Sequence, residues 1–244
     1  MSHPFSAYPV HVSSDDPDLW IPPRGSTACR RPPMKGARTF RTAFVDPVTR
    51  REKLAESKLE SDVRDVALAD RRIAAVHDQP TVIRYRDHAG RPQRHYLDFL
   101  FVLRSGVRIG VLVKPFAKAE RDGLERLARV FDEKAADVAE RFVVMTERHV
   151  PRTRVADAKL ILRARRHSCP EARAALETVA TLLRGDLTIR SLVAAAGLPA
   201  GRGFVAAVAL LDVGTLVKVG TTPINPDTVV RRAGRPNGGQ GGRD

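Results

Sequence analysis

The chain has 244 residues, 43% of them apolar, which is enough for one large domain or two small ones with buried cores. Lysine and arginine number 42 against 28 aspartate and glutamate, and the net charge of +14 favours a polyanionic partner over a membrane surface. The alternative is that this charge is only a solvated surface. Two cysteines are too few for a disulfide framework, and no apolar run is long enough for a membrane span, so we expect a cytoplasmic protein with no membrane partner.

Changes in composition divide the chain into four regions. Residues 1–45 are rich in proline, serine and arginine and are expected to form a basic, flexible arm. Residues 46–150 show regular apolar periodicity and are expected to form the first domain, and residues 151–232 a smaller second domain. Residues 233–244 are rich in glycine and are expected to form a flexible tail.

The first domain shows one helix, three strands, a second helix and a fourth strand. In "DPVTRREKLAESKLESDVRDVALAD", Leu59, Val63, Val66 and Ala67 recur at helical spacing and predict the first helix. "TVIRYRD", "QRHYLDFLFVL" and "VRIGVLVKP" predict strands separated by turns at 88–90 and 104–106. "AERDGLERLARVFDEKAADVAERF" predicts a helix and "RFVVMTE" a strand. This order indicates an α/β (α+β) domain with a mixed sheet flanked by helices.

The second domain shows three helices followed by a small hairpin, an order typical of a winged helix. The first helix, "CPEARAALETVATLLRG", has Pro170 suited to its first turn and Gly185 to its end. "LTIRSLVAAAG" and "AGRGFVAAVALLDVG" predict two further helices, and "TLVKVGTTPI" and "TVVRR" predict strands. The last helix offers only Arg202 at its start. We therefore expect it to complete a small core or to form a protein-docking surface, and not to contact base edges.

Two charged residues interrupt the apolar hairpin of the first domain. The turn centred on Ser105 places Asp98 opposite Leu112 and Tyr96 opposite Lys114, so that Asp98 and Lys114 lie on the same side of the sheet as diagonal neighbours. A slip of one residue would separate them. Their simplest interpretation is a buried or half-buried ion pair, since either charge alone is costly to bury.

An acidic residue in the preceding helix offers a second interpretation. Glu60 lies near the apolar face of that helix, although it could equally be a surface glutamate, and Glu56 is nearly as well placed. The carboxylates of Glu60 and Asp98 could hold Mg²⁺ or Mn²⁺, and Lys114 could orient the attacking water and stabilise charge on a phosphate. A phosphodiester substrate would agree with the positive net charge.

Four short motifs occur in an order that resembles the TnsA-type transposon-end endonucleases. They are "SKLE" (57–60), "DQP" (78–80), "YLDF" (96–99) and "VLVKP" (111–115). The likeness covers about residues 50–150 and implies a restriction-endonuclease-like fold, in which this family uses a glutamate, an aspartate and a lysine. The second half of the chain is similar to the winged-helix domain that follows in that family.

The resemblance implies a metal-dependent DNA endonuclease subunit of a cut-and-paste transposition system. Such a subunit cleaves one strand of the double-stranded DNA at each transposon end, together with an integrase-like transposase subunit and an ATP-dependent regulator. Carried over by position, Glu60 and Asp98 become metal ligands and Lys114 the catalytic lysine. Gln79 becomes a structural residue or a neighbour of the site.

The sequence departs from this family at Leu112, where the family has an acid or an amide two residues before the lysine. Either Glu60, Asp98, the Val113 carbonyl and waters hold the metal, or another acid takes the vacant role, or the site is inactive. The candidate acids are Glu56, Asp78 and Glu120. Two other functions therefore stay open: a catalytically inactive DNA-binding assembly subunit of the same machinery, and a stand-alone repair or defence nuclease.

Clusters of basic residues offer contacts for DNA phosphates. They lie in "ARTFRT", "TRREK", "LILRARRH" and "TVVRRAGR". In the third cluster, Lys159, Arg163 and Arg166 share one helical face. The alternative for this face is simple solvation.

Overall fold

A computed structural model describes residues 22–29, 42–46, 49–87, 89–167 and 169–233. Within them the chain is a mixed α/β protein, as the sequence predicts. The helices are α1 (Lys58–Ala69), α2 (Phe116–Arg121), α3 (Leu124–Lys134), α4 (Arg152–Arg166), α5 (Pro170–Leu182), α6 (Ile189–Ala195) and α7 (Ala200–Val213). The strands are β1 (Thr42–Val45), β2 (Glu52–Ala55), β3 (Ile73–Asp78), β4 (Val82–Arg86), β5 (Pro92–Tyr96), β6 (Phe99–Leu103), β7 (Arg108–Val113), β8 (Arg141–Met145), β9 (Asp186–Thr188), β10 (Leu216–Lys218) and β11 (Val229–Arg232). Most of the predicted arm and nearly all of the predicted tail lie outside the described residues.

The central sheet has four strands in the order β3-β6-β7-β8. β3 and β7 are antiparallel to β6, and β8 is parallel to β7. In the hairpin, Phe99 lies opposite Val111 and Leu100 opposite Gly110. This is the register predicted from the turn at 104–106. Because of these directions, β3, β7 and β8 all end at the edge of the sheet where β6 begins.

Helices cover both faces of this sheet because side chains on a strand alternate between faces. Val111 and Val113 pack on one face with residues of α1 and α4, and Leu112 packs on the other face with α2 and α3. Phe131 of α3 is fully buried at the centre of the second cluster. The sheet is therefore apolar on both faces.

The run "QRHYLDFLFVL" forms two strands, where the sequence predicts one. β5 pairs with β4 in a separate two-stranded sheet, whereas β6 belongs to the central sheet. Between them, Leu97 N–H donates to the Thr81 carbonyl at 3.1 Å, and Gln79 N–H donates to the Asp98 carbonyl at 2.9 Å. Asp98 therefore lies at the bend where the chain changes sheets. A continuous apolar run does not reveal such a change of partner.

Part of the N-terminal region packs against the first domain. β1 pairs with β2, Arg24 N–H donates to the Arg50 carbonyl at 2.8 Å, and Cys29 N–H donates to the Gln79 carbonyl at 2.8 Å. These pairings are not predicted from the sequence pattern. Composition does not show where backbone hydrogen bonds go.

The predicted helix from Ala119 to Phe142 is wrong in extent. The structure forms α2 and α3 instead, separated at Gly123, whose φ of +64° belongs to the left-handed region that glycine tolerates. α3 ends at Lys134, and the chain reaches β8 without further helix. Strand β3 is also not predicted from the sequence pattern.

The second half contains α5, β9, α6, α7, β10 and β11 around its own core. β9, β10 and β11 form an antiparallel sheet in the order β10-β11-β9. α7 completes the core, as predicted. It approaches α6 so closely that a Cβ on Gly203 would lie 2.2 Å from a methyl group of Val193. Pro170 begins α5, also as predicted.

Arg165 of α4 joins the two halves. Its guanidinium donates to both carboxylate oxygens of Asp212 on α7 at 2.8 Å. It also donates to the carbonyls of Leu68 at 2.6 Å and Ala69 at 3.1 Å, at the end of α1. This junction satisfies the arginine, the aspartate and two helix-end carbonyls together.

Within the described ranges, no single helix is long and apolar enough to cross a membrane. α6 and α7 pass that test of length and composition only as a pair, with a bend of 113° between them.

Candidate functional site

The predicted site residues meet at the edge of the central sheet where β6 begins. Asp98 precedes β6, Lys114 follows β7, and Gln79 follows β3. Glu60 lies in the first turn of α1. The charges of Glu60 and Lys114 both act on the pKa of Asp98. Residues up to 54 positions apart in the sequence (60 and 114) therefore form one electrostatic group.

Asp98 is a partly buried carboxyl with a perturbed pKa. Burial raises its pKa from 3.8 to about 7, and the charges of Glu60 and Glu56 act in the same direction. The Val113 N–H donates to Asp98 Oδ2 at 2.7 Å, and this bond and the charge of Lys114 lower the pKa without offsetting the rise. At neutral pH, the Val113 N–H and the charge of Lys114 therefore do not offset the cost of ionising Asp98.

Glu60 stabilises the start of α1. The Ser57 hydroxyl accepts from Glu60 N–H at 3.1 Å and donates to Glu60 Oε1 at 2.9 Å. Glu56 N–H donates to Glu60 Oε2 at 2.8 Å. This is a variant of the capping box, so "SKLE" has a structural role in addition to the predicted catalytic one.

Glu56 and Gln79 form a second link across the site. Gln79 Nε2 donates to Glu56 Oε1 at 2.8 Å. Gln79 Oε1 is buried and has no hydrogen-bond partner among the described residues. The backbone of Gln79 has a φ of +40°, a region that residues with a Cβ rarely adopt. A strained backbone and an unsatisfied amide oxygen are more frequent at functional sites than elsewhere.

Lys114 lies beside the carboxylates without pairing with them. Its side chain is partly buried and forms no hydrogen bond or ion pair with any described residue. The simple interpretation of Asp98 and Lys114 as a direct ion pair is therefore wrong for this structure. Burial, and then the charge of Lys114, lower the pKa of His95, whose buried Nε2 has no partner within the described residues.

Leu112, where the resemblance implies an acid or an amide, is buried in the apolar core. Its side chain is 0% exposed and packs with Leu97, Phe131 and other apolar residues under α3. The register that places it level with Asp98 is as predicted, but the two side chains have different surroundings. An acid at this position would enter an apolar core.

Of the three acids considered as substitutes for Leu112, Glu56 is the one that acts on Asp98. Asp78 forms an ion pair with Lys53 at 3.4 Å and accepts from the Ser26 hydroxyl at 2.8 Å. Glu120 is exposed on α2. Val113, considered for its carbonyl, contributes its N–H to Asp98.

The oxygen donors at this edge suit Mg²⁺ or Mn²⁺ by their chemistry. In the described part of the chain, no three His, Cys, Asp or Glu side chains form a group that could hold a metal ion as they stand. The site nevertheless offers the carboxylates of Asp98 and Glu56, that of Glu60, and the unpartnered Gln79 Oε1. Hard cations prefer such carboxylate and amide oxygens.

The predicted basic face of α4 is partly engaged within the fold. Lys159 Nζ lies 3.8 Å from an oxygen of Asp62. The Arg166 guanidinium lies 5.3 Å from the centre of the Phe44 ring. Arg163 is exposed. Only part of this face is therefore available to a phosphate.

Sequence reasoning did not single out His95 or the link between Glu56 and Gln79. One signal was present: Gln79 directly precedes a proline, which restricts its backbone.

A scan against protein-family models and a search of curated proteins find no match to this chain.

Proposed function

We propose that this chain is a metal-dependent DNA endonuclease subunit of a cut-and-paste transposition system. The observation that carries the proposal is the group formed by Asp98, Glu60, Glu56 and Lys114 at one edge of the central sheet. Carboxylates that raise the pKa of a neighbour are costly to hold together, and a cation would offset that cost. An unpaired lysine beside them suits a phosphate group.

The architecture supports this proposal. A mixed sheet with an antiparallel β6–β7 hairpin, a parallel β8 and helices on both faces agrees with a restriction-endonuclease-like domain. In the second half, the order of three helices and three short strands, with sheet order β10-β11-β9, agrees with a winged-helix domain. The net charge of +14 favours DNA as the partner.

In the proposed site, Asp98 and Glu56 hold the cation with the help of Gln79 Oε1. When bound, Mg²⁺ or Mn²⁺ supplies an activated water and stabilises negative charge on the scissile phosphate. Gln79 Nε2 fixes the orientation of Glu56, and the Val113 N–H fixes that of Asp98. The Lys114 ammonium donates to the attacking water or to a phosphate oxygen. Glu60 joins the ligands if it gives up a hydrogen bond of the α1 cap.

A second candidate function is an inactive assembly subunit of the same machinery, which binds DNA, the integrase-like transposase and the ATP-dependent regulator. Two observations favour it. Leu112 is buried in the core where the related nucleases have a polar residue. Both carboxylate oxygens of Glu60 already accept hydrogen bonds at the start of α1.

A cleavage assay separates the two candidates. The substrate is duplex DNA with transposon ends, incubated with Mn²⁺ and the integrase-like subunit, and the variants are Asp98→Ala and Lys114→Ala. We expect strand cleavage by the wild type, loss of cleavage in Asp98→Ala, and a decrease of about 100-fold or more in Lys114→Ala, the cost typical of one preorganised donor. Glu120→Ala, an exposed acid on α2, is the control and should cleave normally. DNA binding without cleavage by the wild type would favour the assembly subunit.

A further inference from the structure

The two-stranded sheet β4–β5 exposes a positively charged face. Arg84 lies directly opposite Arg94 in the antiparallel register, and both side chains are exposed. Neither side chain forms a hydrogen bond or an ion pair with any described residue. Arg86 follows on the same face two residues after Arg84, because side chains alternate along a strand. Like charges directly opposite each other destabilise a pair of strands, so the fold gains nothing from this arrangement.

The other face of β4–β5 holds the pair of strands in place. Ile83 is buried, and the rings of Tyr85 and His95 lie 5.3 and 5.6 Å from that of Phe131 on α3. Leu97 N–H closes the base of the pair through its bond to the Thr81 carbonyl. A surface that presents unpaired arginines is thus anchored to a rigid core.

We propose that the exposed face of β4–β5 binds the phosphates of duplex DNA and guides the DNA to the site at Asp98; this inference rests on the proposed function. Arg94 is four residues before Asp98 on the same chain. At about 3.3 Å per residue, the arginine pair lies within about 13 Å of the site. That distance corresponds to about four base pairs of duplex DNA. Guanidinium groups suit phosphate oxygens because they can donate two parallel hydrogen bonds.

The test is DNA binding in EDTA, where no metal-dependent cleavage occurs. The variant is Arg84→Gln with Arg94→Gln, and a fluorescent duplex is titrated at several salt concentrations. We expect an affinity at least about tenfold lower than wild type and a slope of log K against log salt that is smaller by about 2, since each lost phosphate contact removes about 0.9.

The matched control is Lys134→Gln with Arg141→Gln, which removes the same charge at the end of α3 and the start of β8. Both side chains are exposed and form no hydrogen bond or ion pair within the described chain. Equal effects of the two double variants, or no binding of duplex by the wild type, would overturn the proposal. Equally tight binding of polyglutamate by the wild type would also overturn it and would indicate an acidic protein partner.

A failure of this inference can be distinguished from a failure of the nuclease proposal. Asp98→Ala should bind the duplex in EDTA as tightly as the wild type does, or more tightly, because it loses a negative charge. A chain that binds through Arg84 and Arg94 but never cleaves would refute the nuclease and keep the β4–β5 surface. A chain that cleaves DNA, but whose Arg84/Arg94 variant binds duplex like the control variant, would keep the nuclease proposal and refute the β4–β5 surface.

Discussion

The junction at Arg165 and the site at Asp98 both contain partly buried charges, but only the junction satisfies them. At the junction, one guanidinium pairs with Asp212 and with two carbonyls at the end of α1. At the site, burial and then neighbouring carboxylates raise the pKa of Asp98, and the Lys114 side chain pairs with no described residue. The first arrangement stabilises the fold, and the second opposes it. A costly arrangement on a rigid sheet edge indicates a function outside the fold.

The largest expected effect on the free energy of unfolding comes from an acid at position 112, in the apolar core next to the site. Leu112→Glu should destabilise the protein by at least about 3 kcal/mol, because its side chain is 0% exposed among apolar residues. Leu112→Met, the control, should cost less than about 1.5 kcal/mol. Urea denaturation measures both. A gain in Mn²⁺-dependent cleavage in Leu112→Glu, as the family resemblance would imply, would show that this position does face the ligands.

The next prediction tests the junction at Arg165, where the charges are paired. Arg165→Ala should lower the free energy of unfolding by about 3 kcal/mol, since it leaves Asp212 and the carbonyls of Leu68 and Ala69 without their donor. The control is Arg190→Ala, which breaks an ion pair with Asp227 whose side chains are 65% and 70% exposed. That change should cost much less than Arg165→Ala, because exposed ion pairs contribute little to stability. Similar losses in the two variants would mean that the junction contributes no more than a surface ion pair.

A smaller effect, of opposite sign, is expected at Asp98. Its folded pKa of about 7 lies above the ordinary value of 3.8, so the folded state binds a proton that the unfolded state lacks between those pH values. The stability contributed by this group is present below pH 4 and is lost as the pH rises toward 7. Asp98→Asn should therefore gain about 2 kcal/mol relative to wild type between pH 5 and pH 7.5.

The control for this pH effect is Leu112→Met, which changes no titrating group. Its difference from the wild type should not change over the same range. Chemical denaturation at each pH gives the comparison. A constant difference for Asp98→Asn as well would show that Asp98 has an ordinary pKa.

The sequence predicts most of what depends on local pattern. The β6–β7 register follows from the turn at 104–106, and Pro170 marks the start of α5. The apolar character of α7 predicts its place in the core. Each of these rests on spacing within about 20 residues, where periodicity and turn chemistry act directly.

The rest depends on contacts between distant segments. The split of "QRHYLDFLFVL" at Asp98 requires the bonds from Gln79 and Leu97, which sequence pattern does not contain. The resemblance selected Glu60, Asp98 and Lys114, and they do lie at one edge of the sheet. The hydrogen bonds of Glu60 within the α1 cap, the link between Glu56 and Gln79, and the burial of Leu112 required the folded chain. Asp98 and Leu112 lie opposite each other in the sheet register, yet their side chains have different surroundings.

The central claim, that a cation satisfies the charges at Asp98, is tested most directly by melting temperatures at pH 8 with and without Mn²⁺. Without Mn²⁺, Asp98→Asn should melt at a higher temperature than the wild type, since it lacks the uncompensated carboxylate. Saturating Mn²⁺ should raise the melting temperature of the wild type by roughly 5 °C or more and leave that of Asp98→Asn nearly unchanged, because a ligand that binds the folded state stabilises it. No shift in the wild type, or the same shift in both proteins, would contradict the claim.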